Sequence, residues 1–244
     1  MTPDALPGLA RRAGATGGAG QHATKLERSV HSGWVAEILR EAIVEGHLVP
    51  DAPLVELALA DQLEISRGPV RNALNVLEGE GLVRTLRNGR TVVVGFGAAD
   101  LADLTSVRLE LETTAVERAI RRAADPAPAQ AAFAAIEQEG ASTPRLVDLD
   151  VGFHRSLVEL SGSRFLLQAW LALAPVIHTV ITIGNRRLAE RDPERNFARI
   201  LATHRPLVAA VAAGDAARAT ALLVEQFDVT TSMFTSRDDP ETTA

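Results

Sequence analysis

Asn88-Gly89 stands between two short runs, "LVRTLR" and "RTVVVG", that favour extended structure. An Asn-Gly pair in that setting is the strongest short-range hairpin signal, because both residues accept the positive φ of a tight turn. Just ahead lies "SRGPVRNALNVLEGEG". Ser66 suits an N-cap, Pro69 falls in a first turn where its missing N–H does no harm, and Gly81 supplies a stop. Val70, Leu74 and Leu77 recur at helical spacing as the inward stripe. A helix running straight into a hairpin leaves few folds open, and the preceding residues narrow them further. "GWVAEILREAIVEG" places Trp34, Ile38, Leu39, Ala42 and Ile43 on one helical face, and "LVELALADQLEI" aligns Leu57, Ala60 and Leu63. Three helices and a two-stranded wing form a winged helix-turn-helix.

Charge says what such a module would touch. Arg67, Arg71, Arg84, Arg87 and Arg90 face only Glu78 and Glu80 between residues 65 and 95, in a chain of net charge −6. Arg67 and Arg71 are four apart and so share one face at the start of their helix, flanked by Ser66, Gly68 and Asn72. That end of a helix fits a DNA major groove. Arg84, Arg87 and Arg90, beside Asn88 and Gly89 at the wing, suit phosphates or the minor groove. Arginines that merely solvate a surface would not need the cap, the spacing and the wing in this order.

From residue 98 onward the chain reads as successive helices, broken at Asp125-Pro126, Gly140 to Pro144, Gly162, Arg191 to Pro193 and Gly214. Aromatic residues are few and Ala and Leu abundant, which favours an antiparallel all-α bundle. The expected organisation is mostly α. Residues 1–30 form a disordered tail, 31–96 the winged module, 97–235 the bundle and 236–244 a flexible end. "LLQAWLALAPVIHTVITIG" (166–184) is apolar enough to raise the question of a membrane span, but Gln168, Pro175 and His178 interrupt it and a central bundle helix is the expected reading. With no cysteine, disulfides, thiolate nucleophiles and cysteine-held metals are excluded, and a cytoplasmic location is the default.

Inside the bundle, Asp150 and His154 are four apart on one helix, so carboxylate and imidazole point the same way and could share a cation. His204 and Gln226 lie at similar heights on either side of the Gly214-Asp215 turn. His178 could approach from the apolar helix, although a lone histidine there is more often a hydrogen-bonded core residue. Three ligands with an open position would also suit a metal-dependent hydrolytic enzyme, with the N-terminal module as adaptor. No obvious general base or nucleophile accompanies them.

"ISRGPVRNALNVLEGEGLV" resembles the recognition segment of GntR-family transcriptional regulators, close to V-S-R-T-P-V-R-E-A-L-x-x-L-x-x-E-G-L-V. Gly68 replaces the usual Thr or Ser, Asn72 the usual Glu, and Leu57 sits where some members carry a DNA-contacting arginine. "RLELE", "DVGFH" and "H..LV.AV..GD...A" resemble the FCD subgroup, in which one Asp and three His hold a metal. The resemblance implies that Asp150, His154 and His204 bind a divalent metal such as zinc or nickel, with Gln226 in the position of the last histidine. It also implies that Arg108 helps hold an effector, for which a small organic acid is expected. Together these imply a homodimeric repressor on a palindromic double-stranded DNA operator, not an enzyme. A bundle serving only as dimerisation scaffold is the reading that the Gln226 replacement favours.

Overall fold

The structure is a computed structural model that describes residues 25–141, 145–190 and 192–235. They divide into two compact units between Gly97 and Ala98. The first unit holds helix α1 (Lys25–Val44), strand β1 (Pro53–Leu54), α2 (Glu56–Gln62), α3 (Arg67–Gly79), β2 (Val83–Thr85) and β3 (Thr91–Val93). Helix α3 packs on α1 and α2 and leads into the sheet. Val70, Leu74 and Leu77 fill that interface with Leu39, Ile43 and Leu59, all at most 4% exposed. Truncating a core leucine such as Leu77 to alanine costs about 2 to 5 kcal/mol. At the end of α3, Glu80 receives two hydrogen bonds of 2.7 Å from Arg40 on α1, a nearly buried ion pair joining the two helices.

The wing is a three-stranded antiparallel sheet, order β1-β3-β2, where the sequence suggests two strands. Pro53 and Leu54 pair with Val92 and Thr91. Pro53 lacks an N–H, and an edge strand is where that loss is tolerated. The hairpin turn also differs from expectation. Of its two central residues only Gly89 takes a positive φ, 77°. Gly89 N donates to Leu86 O and Leu86 N to Arg90 O, while the Asn88 side chain accepts from Arg90 N. This is a type I turn closed by a glycine bulge, the three-residue alternative for an Asn-Gly hairpin.

Three further expectations are corrected. Helix α1 begins at Lys25, inside the segment read as a tail; the rest of that tail and residues 236–244 lie outside the described residues. Leu57 is 55% exposed, because α2 turns Leu59 and Ala60 inward instead, with Leu63 at its end. Trp34 is only partly buried, and Val35 takes its place at the core.

The second unit is a bundle of α4 (Ala98–Arg121), α5 (Ala127–Glu139), α6 (Leu146–Leu160), α7 (Arg164–Ala189), α8 (Pro193–Ala212) and α9 (Ala216–Thr235). Helix α4 lies against α6, α7 and α9, and α8 against α5, α7 and α9. Phe133, Ile136, Phe153, Leu157, Leu207 and Leu223 form its main core. The helix starts are written in the sequence: Ser163 accepts from Leu166 N, and Asp192 from Arg195 N. Helix α7 is long and apolar enough to cross a membrane, and it sinks Trp170, Ile177 and Ile183 into the bundle while Phe165 and Leu171 stay exposed. Pro175 is accommodated inside it.

Candidate functional site

Two sets of side chains carry chemistry, one in each unit. In the first, Arg67 and Arg71 project from the opening turns of α3 with side chains 58% exposed. Ser66 precedes them with extended backbone, φ −73° and ψ 159°, but its hydroxyl makes no capping bond. Both arginines meet a residue that the sequence reading passed over. Arg71 grips the Glu56 carboxylate through Nε and Nη2, each at 2.9 Å, and Arg67 Nη2 reaches the same group at 3.3 Å. The Arg71 hydrogen bonds hold the Glu56 carboxyl below its ordinary value. Glu56 stands in the first turn of α2, where a carboxylate also suits the helix dipole. Its position outside the arginine-rich stretch hid it.

Gly68, Asn72, Arg87, Asn88, Gly89 and Arg90 are all exposed. Arg84 pairs with Asp51 at 2.8 Å, whereas the side chains of Arg87 and Arg90 make no ion pair among the described residues. The two nearby acids are turned to structural work. Glu78 accepts from Thr85 N, and Glu80 is held by Arg40.

In the bundle, α6 supplies Asp150 and His154, α8 His204, α9 Gln226, and α4 Arg108 and Glu112. His154 is fully buried, His204 2% exposed and Asp150 6%. One ligand atom from each of Asp150, His154 and His204 lies within 4.8 Å of the others. The ring orientations are set from behind. His154 Nδ1 lies 2.6 Å from Glu112 Oε2, and His204 Nδ1 lies 2.7 Å from the Ile200 carbonyl. A carboxylate only accepts, so His154 Nδ1 carries a proton, and the Nε2 atoms of both rings face the shared space. There His204 Nε2 meets Asp150 at 2.8 Å and Gln226 Nε2 donates to His154 Nε2 at 3.0 Å. A carboxylate behind a histidine is the arrangement that orients metal-ligating imidazoles. The donor set therefore fits a divalent ion, with Asp150, His154 and His204 as its ligands.

Glu112 is the buried hub. Besides His154 it accepts from Arg108 Nε at 2.7 Å and Trp170 Nε1 at 3.1 Å. Burial alone would push its carboxyl up, but Arg108 and His154 outweigh it and hold it down at about 2. Asp150 is held below the ordinary carboxylate range, burial being outweighed chiefly by His204. Burial lowers His154, against the pull of Glu112, which keeps the ring neutral. Arg108 itself is 7% exposed, stacked 4.6 Å over the Phe227 ring.

Beside this cluster lies a small cavity of about 50 Å³ that opens to solvent. Arg108, Asp150, His154 and His204 line it together with Gln226, so the sequence-derived residues of the bundle converge. Asn185 of α7 and Arg199 of α8 join them, and neither was marked in the sequence. His178 does not reach it. Its Nε2 pairs with Asp148 at 2.9 Å on the outer side.

Residues 32–93 match the family of bacterial regulatory proteins named gntR, and residues 103–228 match the FCD domain. The chain belongs to the gntR family. This gntR regulator is 31% identical over 201 residues to the gluconate operon transcriptional repressor of Bacillus subtilis, covering 80% of this chain and 81% of that one. It is 30% identical over 196 residues to the transcriptional repressor GlaR of Escherichia coli, covering 76% and 87%. Among solved structures, E. coli McbR/YncC shares the fold at TM-score 0.62 and 23% identity, over 86% of this chain and 99% of that one. A gntR chain of this make-up is a transcriptional regulator, and the hydrolytic alternative falls with the family assignment.

Proposed function

We propose that this gntR regulator is a repressor that binds a palindromic operator as a homodimer in the cytoplasm and is released by a small carboxylate-bearing metabolite bound in its FCD unit. The observation that carries the DNA half is the exposed basic face, Arg67 and Arg71 at the start of α3 with Arg87 and Arg90 on the wing, in a chain of net negative charge. Helix α3 enters the major groove, Arg67, Arg71 and Asn72 meet base edges, and Ser66 and the wing arginines meet the backbone. Gly68 leaves room beside them.

The effector half is supported by the cavity and its polar wall. A divalent ion held by Asp150, His154 and His204 would supply a Lewis-acid anchor for an effector oxygen. The protein's own contribution is to fix the His154 tautomer, turn both Nε2 atoms inward and hold Asp150 ionised. Gln226 is a weaker and harder ligand than histidine, and it favours oxygen-tolerant ions. The operon named for the Bacillus subtilis relative concerns gluconate, so hydroxy acids are the first class to try. Ligand-induced release requires that the acid bind the two states of the dimer unequally.

Selection from random double-stranded DNA at fixed salt, run with wild type and with Arg67→Ala/Arg71→Ala, tests the first half. A palindromic consensus for the wild type alone is expected. Enrichment of the same sequence by the double variant would sink the assigned base contacts.

A further inference from the structure

We infer that Arg199 is the anion-binding side chain of the FCD cavity, and that it takes the carboxylate of a small organic acid through its Nε and Nη groups. The inference rests on the effector reading and names the residue that carries it. Arg108, the position which family resemblance marks, is already committed. Its Nε donates to Glu112 at 2.7 Å and its guanidinium face covers Phe227. Around the cavity Arg108 is paired with Glu112, and Asp150 lies against His204 at 2.8 Å.

Arg199 breaks that pairing. No carboxylate lies within ion-pair distance of it among the described residues, and its Nη2 has only amide oxygens, Asn196 at 3.0 Å and Asn185 at 3.5 Å. Its Nε is wholly buried and makes no hydrogen bond there. Burial lowers its affinity for its proton and Asp150 opposes that, so the guanidinium stays charged in a poorly solvated wall. A planar donor fork with a buried, unused N–H is the shape that a carboxylate fills bidentately. Asn185 lines the cavity beside it, and the Asp150–His154–His204 cluster lines the same cavity for a second oxygen. The acid so recognised carries one carboxylate and a further hydroxyl or carboxylate oxygen.

Calorimetric titration of the full chain with acetate, L-lactate, L-malate and D-gluconate, each against its neutral amide, tests this with EDTA and again with zinc. At least one acid should bind about tenfold or more tightly than its amide. Arg199→Gln should abolish that preference, Arg199→Lys should recover part of it, and Arg205→Gln, an exposed arginine paired with Glu137, should leave it intact. Without ligand, Arg199→Gln should melt at or above the wild type, because the guanidinium lacks a counterion. A melting point several degrees lower would give Arg199 a structural role and overturn the assignment. If Arg199→Gln keeps the preference while Arg108→Gln loses it, Arg199 is wrong and the effector reading stands. If the wild type never separates acid from amide, both fall.

Discussion

Replacing Glu112 by glutamine isolates what one buried carboxylate does for the bundle. The side chain is fully buried and accepts from three donors, Arg108 Nε, His154 Nδ1 and Trp170 Nε1. Glutamine keeps the volume but removes the charge, and its amide N–H groups face donors. Removing one partner of a buried ion pair costs about 3 to 5 kcal/mol. The depressed carboxyl gives a second measure. Its fall from 4.5 to about 2, at ~1.4 kcal/mol for each pH unit, amounts to about 3 kcal/mol. The assay is urea denaturation with EDTA in a Trp34→Phe background, which leaves Trp170, itself bonded to Glu112, as the one fluorescent reporter. With a slope of about 2 kcal/mol per molar, the midpoint should fall by roughly 1.5 M or more. A loss below about 1 kcal/mol would refute the view that the charge, and not the packing of the side chain, holds Arg108 and His154 in place.

The same carboxylate sets a pH dependence. Its folded value lies below its unfolded one, so its stabilisation is complete above about pH 4.5 and drains away as pH falls toward 2. Wild type should lose more bundle stability than Glu112→Gln across that window, followed by Trp170 fluorescence. Zinc should raise the melting temperature of the wild type, by about 2.7 kcal/mol of stability at a hundredfold excess over Kd, and Asp150→Asn or His204→Ala should cancel the rise. Gln226→His should tighten zinc about tenfold, read by competition with a chelating dye. In DNA binding, Arg87→Ala or Arg90→Ala should lower the salt slope by about 0.9 each, while Arg71→Ala should cost about 1 to 3 kcal/mol on the selected operator and less on random DNA. Glu56→Gln should tighten binding to random DNA and narrow the gap to the operator, measured by anisotropy at several salt concentrations.

What was legible followed from local rules. Period-3.6 stripes and breaks at glycine and proline gave the helices, because those signals act within a few residues; Ser66, the cap expected from sequence, makes no capping bond. Asp150, His154 and His204 could be assembled from spacing and from the GntR and FCD resemblance. Several of the misses are long-range. Pro53–Leu54 becomes a strand only because Thr91 and Val92 offer a ladder. Glu112 looks like any helical acid until α6 and α7 bring His154 and Trp170 to it across 42 and 58 residues. Glu56 lies 15 residues from Arg71, and Arg199 becomes unusual only once every neighbouring charge has found another partner. Exposure of Leu57 depended on the roll of a two-turn helix, which one apolar residue does not decide.

The shared grip of Arg67 and Arg71 on Glu56 bears on how a regulator finds its target among many wrong ones. A guanine edge presents two acceptors to an arginine much as a carboxylate does, so the protein carries its own mimic of the base it seeks. If Arg67 and Arg71 read bases as proposed, on unrelated sequence they would stay on that mimic and leave contact with DNA to Arg87, Arg90 and the backbone. Such contact is loose and salt-sensitive, which suits sliding. On that reading, only a site whose acceptors outcompete Glu56 would draw the fork across, turning a mobile scan into a stop.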